Sequence, residues 1–208
     1  MSDVILFFDT ETSSLVDHKR SAGLHQPHAV QLAAILQSND STRELSSIIR
    51  PNGWTISPKA EEVHGISLER AQREGTPIED VLQEFIWMLS MANIVVAHNI
   101  TFDHKVVASE FIRLGLKEDL FAGKRFFCTM MESKGVLKIP GYYGDYKWPS
   151  LAEAYRALVG GEIEGAHDAM CDVQACRAIY WALQKRLRSP AEIVTDQLVD
   201  VFQQPSTE

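Results

Sequence analysis

The sequence predicts an α/β domain, a central mixed five-stranded sheet flanked by helices. Two observations carry this: strand-like segments come first and then alternate with helix-like ones, and the helical segments carry readable caps and glycine stops. The 208 residues suit one domain. We expect it to span residues 1–188, with 189–208 adding a C-terminal helix and a polar tail.

In chain order, Val4 to Phe8 is a short apolar run that ends in Asp9-Thr10-Glu11-Thr12, the pattern of a buried strand opening onto a site. Ala29 to Leu36 and Glu44 to Ile49 read as two more strands, joined by a hairpin turn at the small polar cluster Gln37 to Thr42. Ser57-Pro58 and Ser67 start short helices. Thr76 to Glu79 reads as a capping box, followed by Val81, Leu82, Phe85, Ile86 and Leu89 on one helical face. Asn93 to Ala97 is a strand, Phe102 to Leu114 a helix stopped by Gly115, and Arg125 to Thr129 the last strand. The stretch from Gly123 to Pro149 otherwise reads as loop, above all Ile139 to Pro149, rich in Gly, Tyr and Pro. Ser150 to Glu153 is a second capping box, its helix ending at Gly160-Gly161. Asp168 to Arg188 has helical periodicity, and Ser189 to Glu192 caps a final helix.

A hydrophobic content of 45% and a charged content of 23% are ordinary for a soluble globular protein. The longest near-apolar run, Phe85 to Ala97, is too short to cross a bilayer, and the N-terminal segment resembles neither signal peptide nor anchor, so a cytoplasmic location with no membrane partner is expected. Cys128, Cys171 and Cys176 form neither an even set nor a Cys-x-x-Cys pair, which argues against disulfides and structural zinc. A net charge of −8 argues against a polyanionic partner, unless several acids are metal ligands that bound cations neutralise. Residues 124 to 138 are biased the other way, with Lys124, Arg125, Lys134 and Lys138 against Glu132.

Asp9 and Glu11, two apart in a strand, put their carboxylates on one face about 6 to 7 Å apart, where they repel unless something positive lies between them. Asp103 follows a strand-to-helix junction, where a group can project from the carboxyl edge of a sheet; an acid serving the helix dipole explains it equally. His167 and Asp172 meet at one site if His167 lies in a loop opened by Gly165 and Asp172 one turn inside the helix; the alternative is a capping Asp168 with an exposed Asp172.

Asp-x-Glu, His-Asn-x-x-Phe-Asp and His-x-x-x-x-Asp, in this order, resemble the DEDDh family of 3′-to-5′ exonucleases, which have the ribonuclease H-like fold. The resemblance covers about residues 3 to 186 and implies that Asp9, Glu11, Asp103 and Asp172 hold two Mg²⁺ or Mn²⁺ ions, with His167 as general base. It further implies that Thr10, Thr12 and Leu15 touch the terminal nucleotide and that His64 and Ile66, in Val63 to Ile66, pack near the terminal bases; His98 and Asn99 match its second motif. The expected activity is release of nucleoside 5′-monophosphates from single-stranded or frayed DNA 3′ ends, of proofreading or repair type. The alternatives are an exoribonuclease and a non-catalytic polymerase-associated module. Tyr142, Tyr143, Tyr146 and Trp148, beside Lys138 and Lys147, are expected to be the packed cover of a long loop, stacking on unpaired bases being the other reading. Gln197 to Phe202 loosely resembles peptides that bind sliding clamps, although helix packing explains the same residues.

Overall fold

The computed structural model describes residues 3–116, 118–142 and 144–187. The expected C-terminal helix, the clamp-like segment and Tyr143 lie outside the described residues. Five strands, β1 (Ile5–Thr12), β2 (Ala29–Gln37), β3 (Thr42–Ile48), β4 (Ile94–Ala97) and β5 (Arg125–Cys128), form one sheet in the order β3-β2-β1-β4-β5. β2 and β3 run antiparallel to their neighbours, while β4 and β5 run parallel to β1, so the sheet is mixed as expected.

Among the described residues seven α-helices flank it: α1 (Pro58–His64), α2 (Leu68–Glu74), α3 (Ile78–Met91), α4 (Ile100–Arg113), α5 (Thr129–Leu137), α6 (Leu151–Leu158) and α7 (Ala169–Leu187). β1 is apolar at every position from Ile5 to Phe8 because helices cover both sheet faces. Leu6 and Phe8 pack with α3 and α4 residues such as Phe85 and Phe111. Ile5 and Phe7 pack with Val173, Cys176 and Tyr180 of α7. The alternation continues past the core, so Asp9 and Glu11 prolong the Phe7 face and Thr10 the Phe8 face. No helix among the described residues is long and apolar enough to cross a membrane.

Two local expectations are corrected and one is met. Thr76 forms no capping box: its N–H donates to Ile48 and its carbonyl accepts from Arg50, extending the sheet beyond β3, so Pro77 caps α3 without a side-chain bond. The capping box at Ser150 and Glu153 is formed as predicted. Part of the stretch read as loop is α5, which carries Gly135 in its interior and little one-sided apolar character, so no helical periodicity marked it.

Candidate functional site

β4 pairs with β1 only from Ile5 to Phe7, whereas β1 runs on to Thr12 against β2. A gap therefore opens beside β1 at the carboxyl end of the sheet. The chain leaves β4 through Asn99, held at φ 72°, a conformation Asn tolerates better than most residues. This turn starts α4 at Ile100 and places Asp103 in its first turn, where it is buried. One Asp103 carboxylate oxygen accepts both the N–H and the hydroxyl of Thr10, each at 2.9 Å. The acid thus occupies the place of the missing strand neighbour.

From the opposite face comes the start of α7. Gly165 and His167 both have positive φ, 76° and 70°, so His167 lies in a tight loop ahead of the helix. Asp168 caps the helix by accepting from the N–H of Met170 at 3.0 Å. Asp172, one turn inside, accepts from the His167 N–H at 3.3 Å. Gln31 fixes this turn to the sheet: its amide oxygen accepts from Ala169 N–H at 3.2 Å and its amide nitrogen donates to Asp168 at 3.2 Å. Gln31 stands opposite Glu11 in the β1–β2 register, so the strand that pairs with Glu11 also anchors α7. Nothing in the sequence assigned it a role, although one buried amide in the apolar run of β2 was a visible signal.

Ligand atoms of Glu11, His167 and Asp172 lie within 4.8 Å of one another. Burial, then Asp103, Asp172 and Glu11, hold the Asp9 carboxyl well above the usual carboxylate range. Burial and the same two aspartates push Glu11 up to about 8. Burial pushes Asp103 up to about 7 against the opposing effect of the Thr10 hydrogen bonds. Asp172 is raised by burial and lowered by His167, and its Oδ1 is buried without a hydrogen-bond donor among the described residues. Mutually repelling carboxylates and an orphaned acceptor oxygen fit a hard divalent cation, which takes oxygen ligands and relieves the repulsion.

The remaining predicted residues divide. Glu11, Thr12, Leu15, His64 and Phe102 line a cavity of about 490 Å³ beside the acids. Leu15, 79% exposed, stands at its rim, and the buried His64 Nε2 has no hydrogen-bond partner among the described residues. Ile66 and Thr10 are buried: Ile66 packs against Val30, Ile56 and Ala71, and the Thr10 hydroxyl donates to Asp103. His98 and Asn99 shape the turn. The Pro149 carbonyl can only accept, so His98 Nε2 donates to it at 3.1 Å and Nδ1 accepts from the Thr129 hydroxyl at 2.9 Å. Burial lowers its pKa to about 4, keeping this brace uncharged. Asn99 takes the Thr101 hydroxyl at 3.2 Å.

Residues 6–180 match the family model described as exonuclease, RNase T. Among solved structures, E. coli exonuclease I in complex with a dT13 oligonucleotide is similar at 18% identity and TM-score 0.70, covering 93% of this chain and 43% of that one. A zinc-bound form of the E. coli ExoI–ssDNA complex is similar at 20% identity and TM-score 0.68, covering 90% and 41%. A moderately thermophilic exonuclease I from Methylocaldum szegediense is similar at 18% and 0.72, covering 89% and 41%. These likenesses show the ribonuclease H-like fold, and the chain spans less than half the length of each of these structures. No curated protein matches the sequence.

Proposed function

This chain belongs to the RNase T family of exonucleases, and on that premise we propose that it is a metal-dependent 3′-to-5′ exonuclease of the DEDDh type. Its proposed substrate is the 3′ end of single-stranded or frayed DNA, and its product nucleoside 5′-monophosphates. The observation that carries the reading is the convergence of Asp9, Glu11, Asp103 and Asp172 from three separate elements, with His167 against Asp172 and a nucleotide-sized cavity alongside. Single-stranded DNA is favoured because the similar exonuclease I structures include complexes with a dT13 oligonucleotide and with ssDNA.

Asp9, Glu11, Asp103 and Asp172 would hold two Mg²⁺ or Mn²⁺ ions. When bound, these supply Lewis acidity that makes water nucleophilic at neutral pH and stabilises the departing 3′ oxygen. The chain itself does the rest. Thr10 fixes the orientation of Asp103, and Gln31 fixes α7 so that Asp172 faces Glu11 across the cleft. His167, exposed at the cleft and free of the helix, is placed to take the proton of the attacking water. The cavity walls receive the terminal nucleotide, with Leu15 at the rim and Phe102 and His64 inside.

The test is a gel assay of 5′-labelled DNA and RNA single strands of one sequence, with and without Mg²⁺ or Mn²⁺, using the protein and its His167→Ala variant. Stepwise shortening from the 3′ end that requires metal and collapses in the variant is expected, with DNA the faster substrate. A folded protein that shortens neither strand overturns the reading; faster RNA shortening transfers it to an exoribonuclease.

A further inference from the structure

The sequence left the aromatic loop after α5 as packed cover, and at the described tyrosines and tryptophan the structure contradicts that. Tyr142 is fully exposed, Tyr146 is 44% exposed and Trp148 50% exposed. Exposed aromatic area is unfavourable in water, and grouped aromatics at a surface mark a place where something binds. We propose that this loop and the end of α5 form a stacking platform for unpaired bases of the strand whose 3′ end enters the acidic site.

The loop has a defined backbone arrangement, and one of its rings, Trp148, is fixed against it. The α5 helix ends at Lys138 with φ 49°, and the segment folds back on itself through a bridge between Pro140 and Tyr146. Gly141 N–H donates to the Asp145 carbonyl at 2.7 Å and Lys147 N–H to the Ile139 carbonyl at 3.0 Å. A Cβ at Gly141 would come within 2.9 Å of that Asp145 carbonyl, so the turn requires glycine. Lys134 Nζ stands 4.1 Å from the centre of the Trp148 ring and fixes one of its faces by a cation–π contact. Ordered aromatic rings lose little conformational freedom when a base stacks on them.

Two features select single-stranded nucleic acid as the occupant. The first is charge: residues 134–149 carry Lys134, Lys138 and Lys147 against Asp145 within a chain of net charge −8, and with Lys134 paired to Asp145 at 3.6 Å and Lys147 to Glu153 at 2.6 Å, Lys138 is the lysine of this stretch with no ion pair among the described residues. Aromatic rings interleaved with lysines match the alternating bases and phosphates of an unpaired strand. The second is attachment to the site. The loop ends at Pro149, whose carbonyl is held by His98, and the next residue, Asn99, makes the turn into α4 that presents Asp103. The loop and the turn that presents Asp103 are therefore braced together as one structural unit.

This inference rests on the exonuclease reading, and the experiment separates the two. Binding of a 5′-fluorescein-labelled single strand of about 20 nucleotides to the full chain is measured by anisotropy with Ca²⁺ in place of Mg²⁺, for wild type, Tyr142→Ala, Trp148→Ala and Tyr142→Phe. Binding weaker by about tenfold for each alanine is expected, with Tyr142→Phe close to wild type. The preference for this strand over a trinucleotide should also shrink in the alanine variants. Equal affinities in all four proteins, each with an unaltered melting temperature, overturn the platform even if Mg²⁺-dependent shortening is normal. Ring-dependent binding by a protein that shortens no strand supports the platform and removes the exonuclease reading instead.

Discussion

Replacing Glu11 with Gln should make the metal-free protein more stable while removing its activity. In the fold the Glu11 carboxyl is pushed up to about 8, chiefly by burial and then by Asp172 and Asp103, against an ordinary 4.5. Below pH 4.5 the group is protonated in both states and costs nothing. As pH rises from 4.5 to 8 the unfolded chain ionises while the native one holds its proton, so native stability falls, levelling off above pH 8. The full difference is worth about 5 kcal/mol, and with water entering the open cleft to screen the repulsion we expect about 2 kcal/mol. Gln has the same shape and never ionises. In a chain of this size that corresponds to a melting temperature about 4 to 8 °C higher than wild type at pH 8 in EDTA, with little difference at pH 4.5. Adding Mg²⁺ should raise the wild type and close much of the gap, because only the native protein binds the ion. Scanning fluorimetry at the two pH values, with and without Mg²⁺, reads all of this. A Glu11→Gln protein that melts below wild type at pH 8 in EDTA, or gains equally at both pH values, would refute the claim that the acids are held together against their repulsion.

Gln31→Leu should leave Ala169 N–H and Asp168 without their partner, cost about 1 to 3 kcal/mol in urea unfolding, and lower kcat more than it raises KM, since the cleft that binds the nucleotide is untouched. Wild-type kcat in a folded variant would deny Gln31 its positioning role. Thr10→Val keeps the backbone N–H to Asp103 but removes the hydroxyl at 2.9 Å, so the carboxyl holds its proton more tightly and the Mg²⁺ concentration for half-maximal activity should rise about tenfold; an unchanged Mg²⁺ curve counts against it. His98, with a pKa near 4, favours the native state fully above its ordinary 6.5 and withdraws that support as pH falls towards 4, up to about 3 kcal/mol. His98→Gln should therefore lose less melting temperature than wild type between pH 7 and pH 4.5, and parallel curves would show that the brace is not what titrates.

What was legible in the sequence is what local spacing decides. Five apolar residues followed by Asp-x-Glu specify a strand whose two acids share a face, and Gly165 before His167 permits a loop that brings the imidazole back to Asp172. What could not be read depends on pairing at a distance. Thr10 faces Asp103 because β4 stops pairing at Phe7, and nothing near residue 10 reports where β4 ends. Thr76 is drawn into the sheet by Ile49, which overrides its preference for capping. Ile66 is buried in a satellite cluster formed with β2. The partners of Gln31 lie 137 and 138 residues away, so its place in a strand was legible and its purpose was not.

The acids enter the cleft from β1, from α4 and from α7, the last at position 172. During synthesis, a ribosome that has released everything up to the end of β5 has produced a chain still lacking one carboxylate and the imidazole. Even afterwards, Asp172 takes its place only once α7 docks on the sheet through Gln31 and the Phe7 face. On the proposed reading, the set of acids and imidazole is complete only after α7 has docked, so the order in which the chain is read out withholds the activity until folding is finished.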